Sequence, residues 1–471
     1  MGTQIANCKI FTPPDAVISM MDILGYKENL YGRKILENSC GDGRFLVEIV
    51  KRYIEDCLRN GYNNGEIRNG LARDIYAYEI DTDTFNECIK NLNQLVSYYS
   101  ISDVKWSVFN NDALKAELST DFSFVVGNPP YITYSALSAD DRAFIRQAFT
   151  VCKEGKPDYY YAFIESALNC LRSNGRMVYL LPSNFFKTRF ALKVREYLLP
   201  SLTEIYDYKQ QKIFDSALTA SAVIVCNKGD SSSYIIYHDV ATKTKSSISK
   251  ESLKERWIFI PKPLKEKTIQ QVRFGDRYPA SGSIATLHNN AFIFDSDAPD
   301  LAQIEPEIVR KAASPKSEST KKEKSIIFPY FFDEKGKLQR YAEEDFSQRF
   351  PKATAHLNKY RDYLDARSSD KKAKWFEYGR SQAIGHMNKE KLLLSTVITG
   401  KVNVTMLDER TIPYSGIYIV AKDGFDLLEA KRILESRPFI EYAKAVGVQA
   451  NGTSIRISIS DINNYLFDLP C

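Results

Sequence analysis

The sequence has no Cys-x-x-Cys pair. Its eight cysteines, at positions 8, 40, 57, 88, 152, 170, 226 and 471, are scattered along 471 residues. That spacing supports neither a zinc site nor a disulfide framework, and it fits a reducing cytoplasm. No apolar run approaches the ~20 residues that span a bilayer, and the first residues lack the pattern of a signal peptide, so no membrane partner is expected. No convincing nuclease signature of a carboxylate followed by an acidic-x-lysine cluster stands out, so a fused nuclease activity is not expected. Nor is there a large charge of one sign, the net value being +5. What remains is a globular composition, 44% hydrophobic and 26% charged, long enough for two or three domains with cores of their own.

The charge is unevenly placed. Residues 1–245 carry 28 Lys+Arg against 29 Asp+Glu, and residues 246–471 carry 36 against 30. Within the second part, 310–380 holds 18 basic against 11 acidic residues, interleaved with Tyr330, Phe331, Tyr360, Tyr363, Trp375, Phe376 and Tyr378. Basic groups among aromatics suit a phosphate backbone and its bases. A single lysine reads more simply as solvated surface. Polar stretches at Asp230–Ser233 and Ser246–Ser247 flank a last strand, Tyr234–His238, and place a domain boundary near residue 245.

The stretch around which the first domain is organised is Asp121-Phe-Ser-Phe-Val-Val-Gly-Asn-Pro-Pro-Tyr131. Its apolar, β-branched and aromatic run predicts a strand ending at Gly127. Pro129 and Pro130 lack backbone donors and restrict the residues before them, so Asn128–Tyr131 forms a stiff loop at a strand's carboxyl end. That is where open α/β sheets bind ligands. The Asn128 side-chain oxygen and the Pro129 carbonyl converge as two acceptors for a planar amino group, and Tyr131 offers a ring for stacking. Alone, the tetrapeptide also fits an ordinary turn.

Earlier residues supply more of a pocket. Thr12 before Pro13 and Pro14 predicts a helix entry. Lys34–Val50 reads as a strand ending near Glu37, then Asn38-Ser-Cys40 and a Gly41-Asp-Gly43 turn, then a helix. The third glycine of the dinucleotide fingerprint is missing, with Phe45-Leu46 in its place, which disfavours NAD. An acid just before a glycine turn suits the cationic methionine end of S-adenosylmethionine. Cys57–Arg73 is expected to be a polar surface loop. The second strand, Ile75–Ile80, ends with Glu79, placed to accept ribose hydroxyls. The third, Val104–Phe109, leads to Asp112 and Ala113, where a carboxylate would accept from an adenine amino group. Each acid also fits a helix N-cap. The strand–helix alternation up to residue 226 is that of a doubly wound α/β domain.

In order, Thr-Pro-Pro, a glycine turn, a strand-end Glu, a strand-end Asp, Asn-Pro-Pro-Tyr and a long C-terminal region resemble the gamma subgroup of N6-adenine DNA methyltransferases from type II restriction-modification systems. The resemblance covers residues 9 to about 240 closely and continues more loosely through Lys391–Val397 and Val402–Val420. It implies a Rossmann-like S-adenosylmethionine-dependent catalytic domain over 1–245 and an α+β target-recognition domain over 246–471. Thr12 and Glu37, Asn38, Ser39, Cys40, Gly41 and Gly43 then fall where the family holds the methionine part of the cofactor. Glu79 matches the ribose acceptor, Ile80 and Phe163 the two faces of the cofactor adenine, and Asp112 with Ala113 the adenine-amino position. Asn128, Pro129, Pro130 and Tyr131 match the catalytic motif, with Asn128 also beside the cofactor. Phe214 falls where an aromatic packs against the flipped base. Asn38 departs from the family, which more often has proline there.

The implied partners are double-stranded DNA and a separate cognate restriction endonuclease. No metal is expected. A ribosomal RNA adenine methyltransferase is the nearer alternative. A protein-glutamine methyltransferase shares Asn-Pro-Pro-Tyr but lacks a basic C-terminal half of this size. Lys321, Lys322 and Lys324 are expected at phosphates, and base-reading side chains between Tyr378 and Thr411.

Overall fold

The computed structural model describes residues 12–209, 220–259, 271–450 and 454–469. They divide into two compact units, Met1–Lys262 and Pro263–Cys471.

The first unit is built on one nine-stranded sheet. Its strands are β1 (Ile35–Glu37), β2 (Ile75–Tyr78), β3 (Ser107–Phe109), β4 (Phe122–Gly127), β5 (Leu171–Pro182), β6 (Leu202–Asp207), β7 (Ser221–Asn227), β8 (Tyr234–Asp239) and β9 (Thr244–Ser249), in the spatial order β3-β2-β1-β4-β5-β7-β6-β8-β9. The first five are mutually parallel, β7 runs antiparallel between β5 and β6, and β9 closes the edge as an antiparallel hairpin with β8. Successive residues of a strand point to opposite faces. Leu36, Val125, Tyr179 and Leu181 accordingly fill one core, and Ile35, Phe124, Val126, Val178 and Leu180 the other. Helices cover both faces, which is why β4 is buried along its whole length and reads as an unbroken apolar run. The doubly wound α/β expectation holds, with an antiparallel extension at one edge.

The helices of this unit are α1 (Pro14–Leu24), α2 (Arg44–Arg59), α3 (Asn64–Asp74), α4 (Thr82–Tyr98), α5 (Ala139–Ala148), α6 (Tyr160–Cys170) and α7 (Leu192–Leu198). α3 corrects the surface loop expected over Cys57–Arg73. α2 runs on to Arg59, and Asn63 then opens α3 with a capping box, its side chain accepting from the Glu66 N–H while the Glu66 carboxylate accepts from the Asn63 N–H. Ile67 and Leu71 are buried one turn apart, enough to dock a short helix whose polar face hides the pattern. The signal was Asn-x-x-Glu.

The boundary expected at residue 245 also moves. Position 245 lies inside β9, and the chain beyond it still belongs to this core: Trp257 is fully buried against Phe185 and Phe186, and its backbone N–H donates to the Phe186 carbonyl at 2.8 Å. Arg195, also fully buried, donates to the carbonyls of Phe185, Thr188 and Glu255. The division falls at Lys262/Pro263, after which the second unit holds 32 basic against 28 acidic residues, a smaller excess than the 246–471 count implied.

The second unit mixes short strands and helices. Ala280–Gly282, Ile417–Ile419, Lys391–Leu394 and Val404–Leu407 form an antiparallel sheet in that order. Ile293–Asp295, Lys324–Ile327, Val309–Ala313 and Ile412–Pro413 form a mixed one. Two separate apolar clusters, one around Phe292, Phe346, Phe376 and Tyr378 and the other around Leu392, Leu394, Leu434 and Phe439, give it an interior of its own. Among the described residues no helix is long and apolar enough to cross a membrane.

Candidate active site

The parallel strands end together, and their carboxyl ends carry the polar residues. At the end of β1 the chain turns through Asn38–Gly43 into α2. Gly41 and Gly43 take φ of +55° and +86°, the left-handed region open to glycine. A Cβ on Gly43 would lie 2.6 Å from the Cys88 sulfur of α4, so a larger residue there would separate the two helices. The Cys40 N–H donates to the Tyr78 carbonyl at 2.9 Å, tying the turn to β2.

Glu37 lies at the bottom of this turn and is 2% exposed. Its Oε2 has no hydrogen-bond partner among the described residues. Burial, and then the ionisable neighbours Cys88, Asp42 and Glu79, push its pKa well above the carboxylate range. A buried carboxyl among like charges favours a cation arriving beside it. Asn38 follows the same logic: its Oδ1 accepts from the Tyr179 hydroxyl at 2.5 Å, while its buried Nδ2 has no partner among the described residues. Tyr179, a β5 residue that no motif marks, thus fixes the side chain that stands where proline is usual. The loop keeps its shape by a hydrogen bond in place of a ring.

At the end of β2, Glu79 bridges two backbone donors, accepting from Gly41 N–H at 2.9 Å through Oε2 and from Asp81 N–H at 2.8 Å through Oε1. The cap of α4 is Asp81, which accepts from the Thr84 N–H, so the N-cap alternative for Glu79 falls. A carboxylate offers about four lone-pair sites, and these two bonds leave capacity for two hydroxyls. Ile80 beside it is 41% exposed, whereas Phe163 on α6 is 5% exposed and packs edge-on to Tyr159. Asp112 accepts from Leu114 N–H at 3.0 Å and pairs with Lys115 at 3.3 Å, so it shapes its own turn; Ala113 is buried beneath it.

The Asn-Pro-Pro-Tyr loop leaves β4 next to the glycine turn. Asn128 Nδ2 donates to Thr12 Oγ1 at 3.2 Å, and the Ser39 hydroxyl lies 3.5 Å from the Asn128 carbonyl. Tying the amide by its nitrogen makes Oδ1 its acceptor end. Thr12 is buried, and its carbonyl accepts from Arg44, so the segment before α1 closes over both the glycine turn and Asn128. Pro129 is buried and Pro130 half-buried. The Tyr131 hydroxyl donates to the Leu180 carbonyl at 2.8 Å, and its half-buried ring meets Tyr160 edge-on at 5.8 Å. Past it, Tyr159 N–H donates to the Ile132 carbonyl, holding the loop to the start of α6. Phe214 lies outside the described residues.

One end of one sheet therefore holds a buried acid suited to a cation, a second acid suited to hydroxyls, and a proline-stiffened amide. These features are those expected of an S-adenosylmethionine-dependent methyltransferase domain. More particularly, residues 28–214 match the model of the Eco57I restriction-modification methylase family. The chain is 26% identical over 230 residues to the type II methyltransferase M.BstVI of Geobacillus stearothermophilus, covering 46% of this chain and 41% of that protein. It is 30% identical over 203 residues to M.PaeR7I of Pseudomonas aeruginosa, covering 41% and 35%. The matches thus span less than half the length of these relatives. A solved structure of the type IIL restriction-modification enzyme MmeI in complex with DNA shares the fold at a TM-score of 0.57, with 15% identity over 96% of this chain and 65% of that one. Among the described residues no group of His, Cys, Asp and Glu is placed to hold a metal, and the six described cysteines are free and buried.

Proposed function

We propose that the chain transfers a methyl group from S-adenosylmethionine to the N6 amino group of an adenine flipped out of double-stranded DNA, as a gamma-subgroup enzyme of a type II restriction-modification system. On this reading it shields host DNA from a separate restriction endonuclease. The observation that carries the reading is the Asn128–Tyr131 loop seated at the end of β4, next to β1 with its Glu37 carboxyl and glycine turn, with the Asn128 amide held by Thr12.

When bound, the cofactor supplies an electrophilic methyl group on a sulfonium. Glu37 and Asn38 hold its cationic end, Glu79 its ribose hydroxyls, and Ile80, Phe163 and Asp112 its base. Asn128 Oδ1 and the Pro129 carbonyl accept the two amino hydrogens of the target adenine and concentrate its nitrogen lone pair, which the ring otherwise delocalises. Tyr131, with its hydroxyl fixed on Leu180, gives the base a ring to stack on. No strong base is needed before attack, so catalysis rests on positioning and fixed dipoles. Extruding the base costs on the order of a few kcal/mol, which stacking and phosphate contacts offset.

The test is direct. The purified chain, S-adenosylmethionine and unmethylated plasmid DNA should give N6-methyladenine by nucleoside mass spectrometry. N4-methylcytosine, or methylation of RNA or a glutamine side chain but not DNA, would overturn the assignment.

A further inference from the structure

The second unit contains a loop whose shape does not suit its own residues. Leu287 adopts φ +58°, a left-handed conformation that a bulky L side chain rarely takes. Its neighbours hold it there. The Thr286 carbonyl accepts from Arg367 at 2.5 Å and from Gly379 N–H at 3.3 Å, while the Thr286 hydroxyl donates to Asn289 Oδ1 and accepts from His288 N–H. The Leu287 side chain lies over Gly379, where an added Cβ would come within 2.5 Å of its Cδ1. After all this constraint the side chain is still 44% exposed. Glycine or asparagine takes that conformation at lower cost.

Beside it, His288 stacks on Tyr363 with ring centres 5.3 Å apart and planes 11° off parallel, and Tyr363 is 66% exposed. The pair is anchored inward, His288 to Tyr360, Tyr360 to the buried His356, and His356 to Phe294. Residues 352–380 carry eight basic against four acidic side chains. Asp365 and Asp370 pair with Arg361 and Arg380, and Glu377 with Arg340, leaving Asp362 as the remaining acid. Lys359, Lys371 and Lys372 are exposed and form no ion pair among the described residues.

We propose that Leu287, His288 and Tyr363 form a DNA-entering face of the second unit: Leu287 wedges into the base stack and the His288–Tyr363 pair covers the base face it exposes. The occupant is duplex DNA, so the inference rests on the reading above. An apolar tip next to rings and lysines matches what duplex opening needs. Apolar side chains inserted between base steps unstack them, aromatic faces accept the exposed base, and lysines meet phosphates.

The test uses the full chain and plasmid DNA, measuring affinity across salt concentrations, methylation, and thermal midpoint. Leu287→Asn keeps the left-handed backbone, which asparagine tolerates, and removes the wedge. Tyr363→Ala removes the exposed ring. Each should weaken DNA binding roughly tenfold, Tyr363→Ala through the loss of one base–aromatic contact and Leu287→Asn through the loss of the apolar wedge, with the thermal midpoint and salt slope unchanged. Lys371→Ala with Lys372→Ala should instead flatten the salt slope by about 0.9 per lost contact. Wild-type affinity and methylation in both Leu287→Asn and Tyr363→Ala would overturn the proposal. A wild-type chain that neither binds nor methylates this DNA would overturn the DNA-methyltransferase reading itself, and the proposed occupant with it.

Discussion

Each unit buries an ionisable side chain completely enough to move its pKa, and the two are handled in opposite ways. Lys391, 0% exposed in the second unit, is pushed down to about 8 by burial, yet its amine donates to the carbonyls of Asp408, Glu409 and Thr411. Glu37, 2% exposed in the first unit, has the acids Asp42 and Glu79 for neighbours and an oxygen with no partner among the described residues. A buried group whose bonds are made locks a loop. A buried group left wanting a partner marks where a ligand comes. That contrast makes the Glu37 end of the sheet the candidate place for a ligand, while the basic excess of the second part shrinks once residues 246–262 are assigned to the first unit.

The sharpest break between the units is the boundary itself. A fragment 1–262 should fold and bind S-adenosylmethionine. Ending at 245 deletes Trp257 and the Glu255 carbonyl that Arg195 uses, and should cost about 3–5 kcal/mol for the lost aromatic alone. Thermal unfolding of the two fragments checks this, and equal midpoints would return the boundary to 245.

Next is Glu37→Gln. Because the folded pKa of Glu37 is raised, the ligand-free protein should lose stability as pH climbs above the ordinary value of 4.5 toward the raised one. The neutral amide should remove that part of the slope while weakening cofactor binding by roughly 1.5–3 kcal/mol, the worth of a charge-assisted contact. Calorimetry over a pH series reads both. Unchanged cofactor affinity would make Glu37 architectural, as Lys391 is. The converse control is Lys391→Met, which strands three carbonyls and should lower stability by about 1–3 kcal/mol with no effect on cofactor affinity.

The sequence made the first unit's site legible because its residues cluster in short motifs at strand ends. Glu37, Gly41–Gly43, Glu79 and Asn128 all lie where strand-then-turn reading puts them. Three partners were not legible. Tyr179 meets Asn38 across 141 residues of chain, Thr12 meets Asn128 across 116, and α3 presents its capping box inside a polar run. In the second unit the same reading did worse, since no motif separates a base-reading side chain from a core one. Within Tyr378–Thr411, where readers were expected, Tyr378 and Leu392–Leu394 are buried, and the Tyr378 hydroxyl is spent on the Ile327 carbonyl. Of the three lysines expected at phosphates, Lys324 is paired with Asp295 at 2.6 Å. The smallest predicted effect follows: Lys324→Ala should change stability by about 0–1 kcal/mol and leave the salt slope of DNA binding unchanged. A flattened slope would restore Lys324 to the phosphate contacts.

The central claim is that Asn128 activates an adenine amino group held beside the cofactor. It is tested most directly by long-read sequencing of DNA from methylation-deficient cells expressing the wild-type chain or Asn128→Ala. The account predicts N6-methyladenine at one fixed sequence motif with the wild type. With the variant, whose loss of one positioned acceptor should slow transfer by about 10²–10³-fold, the mark should vanish while calorimetry still finds cofactor binding. Full methylation by Asn128→Ala would contradict it.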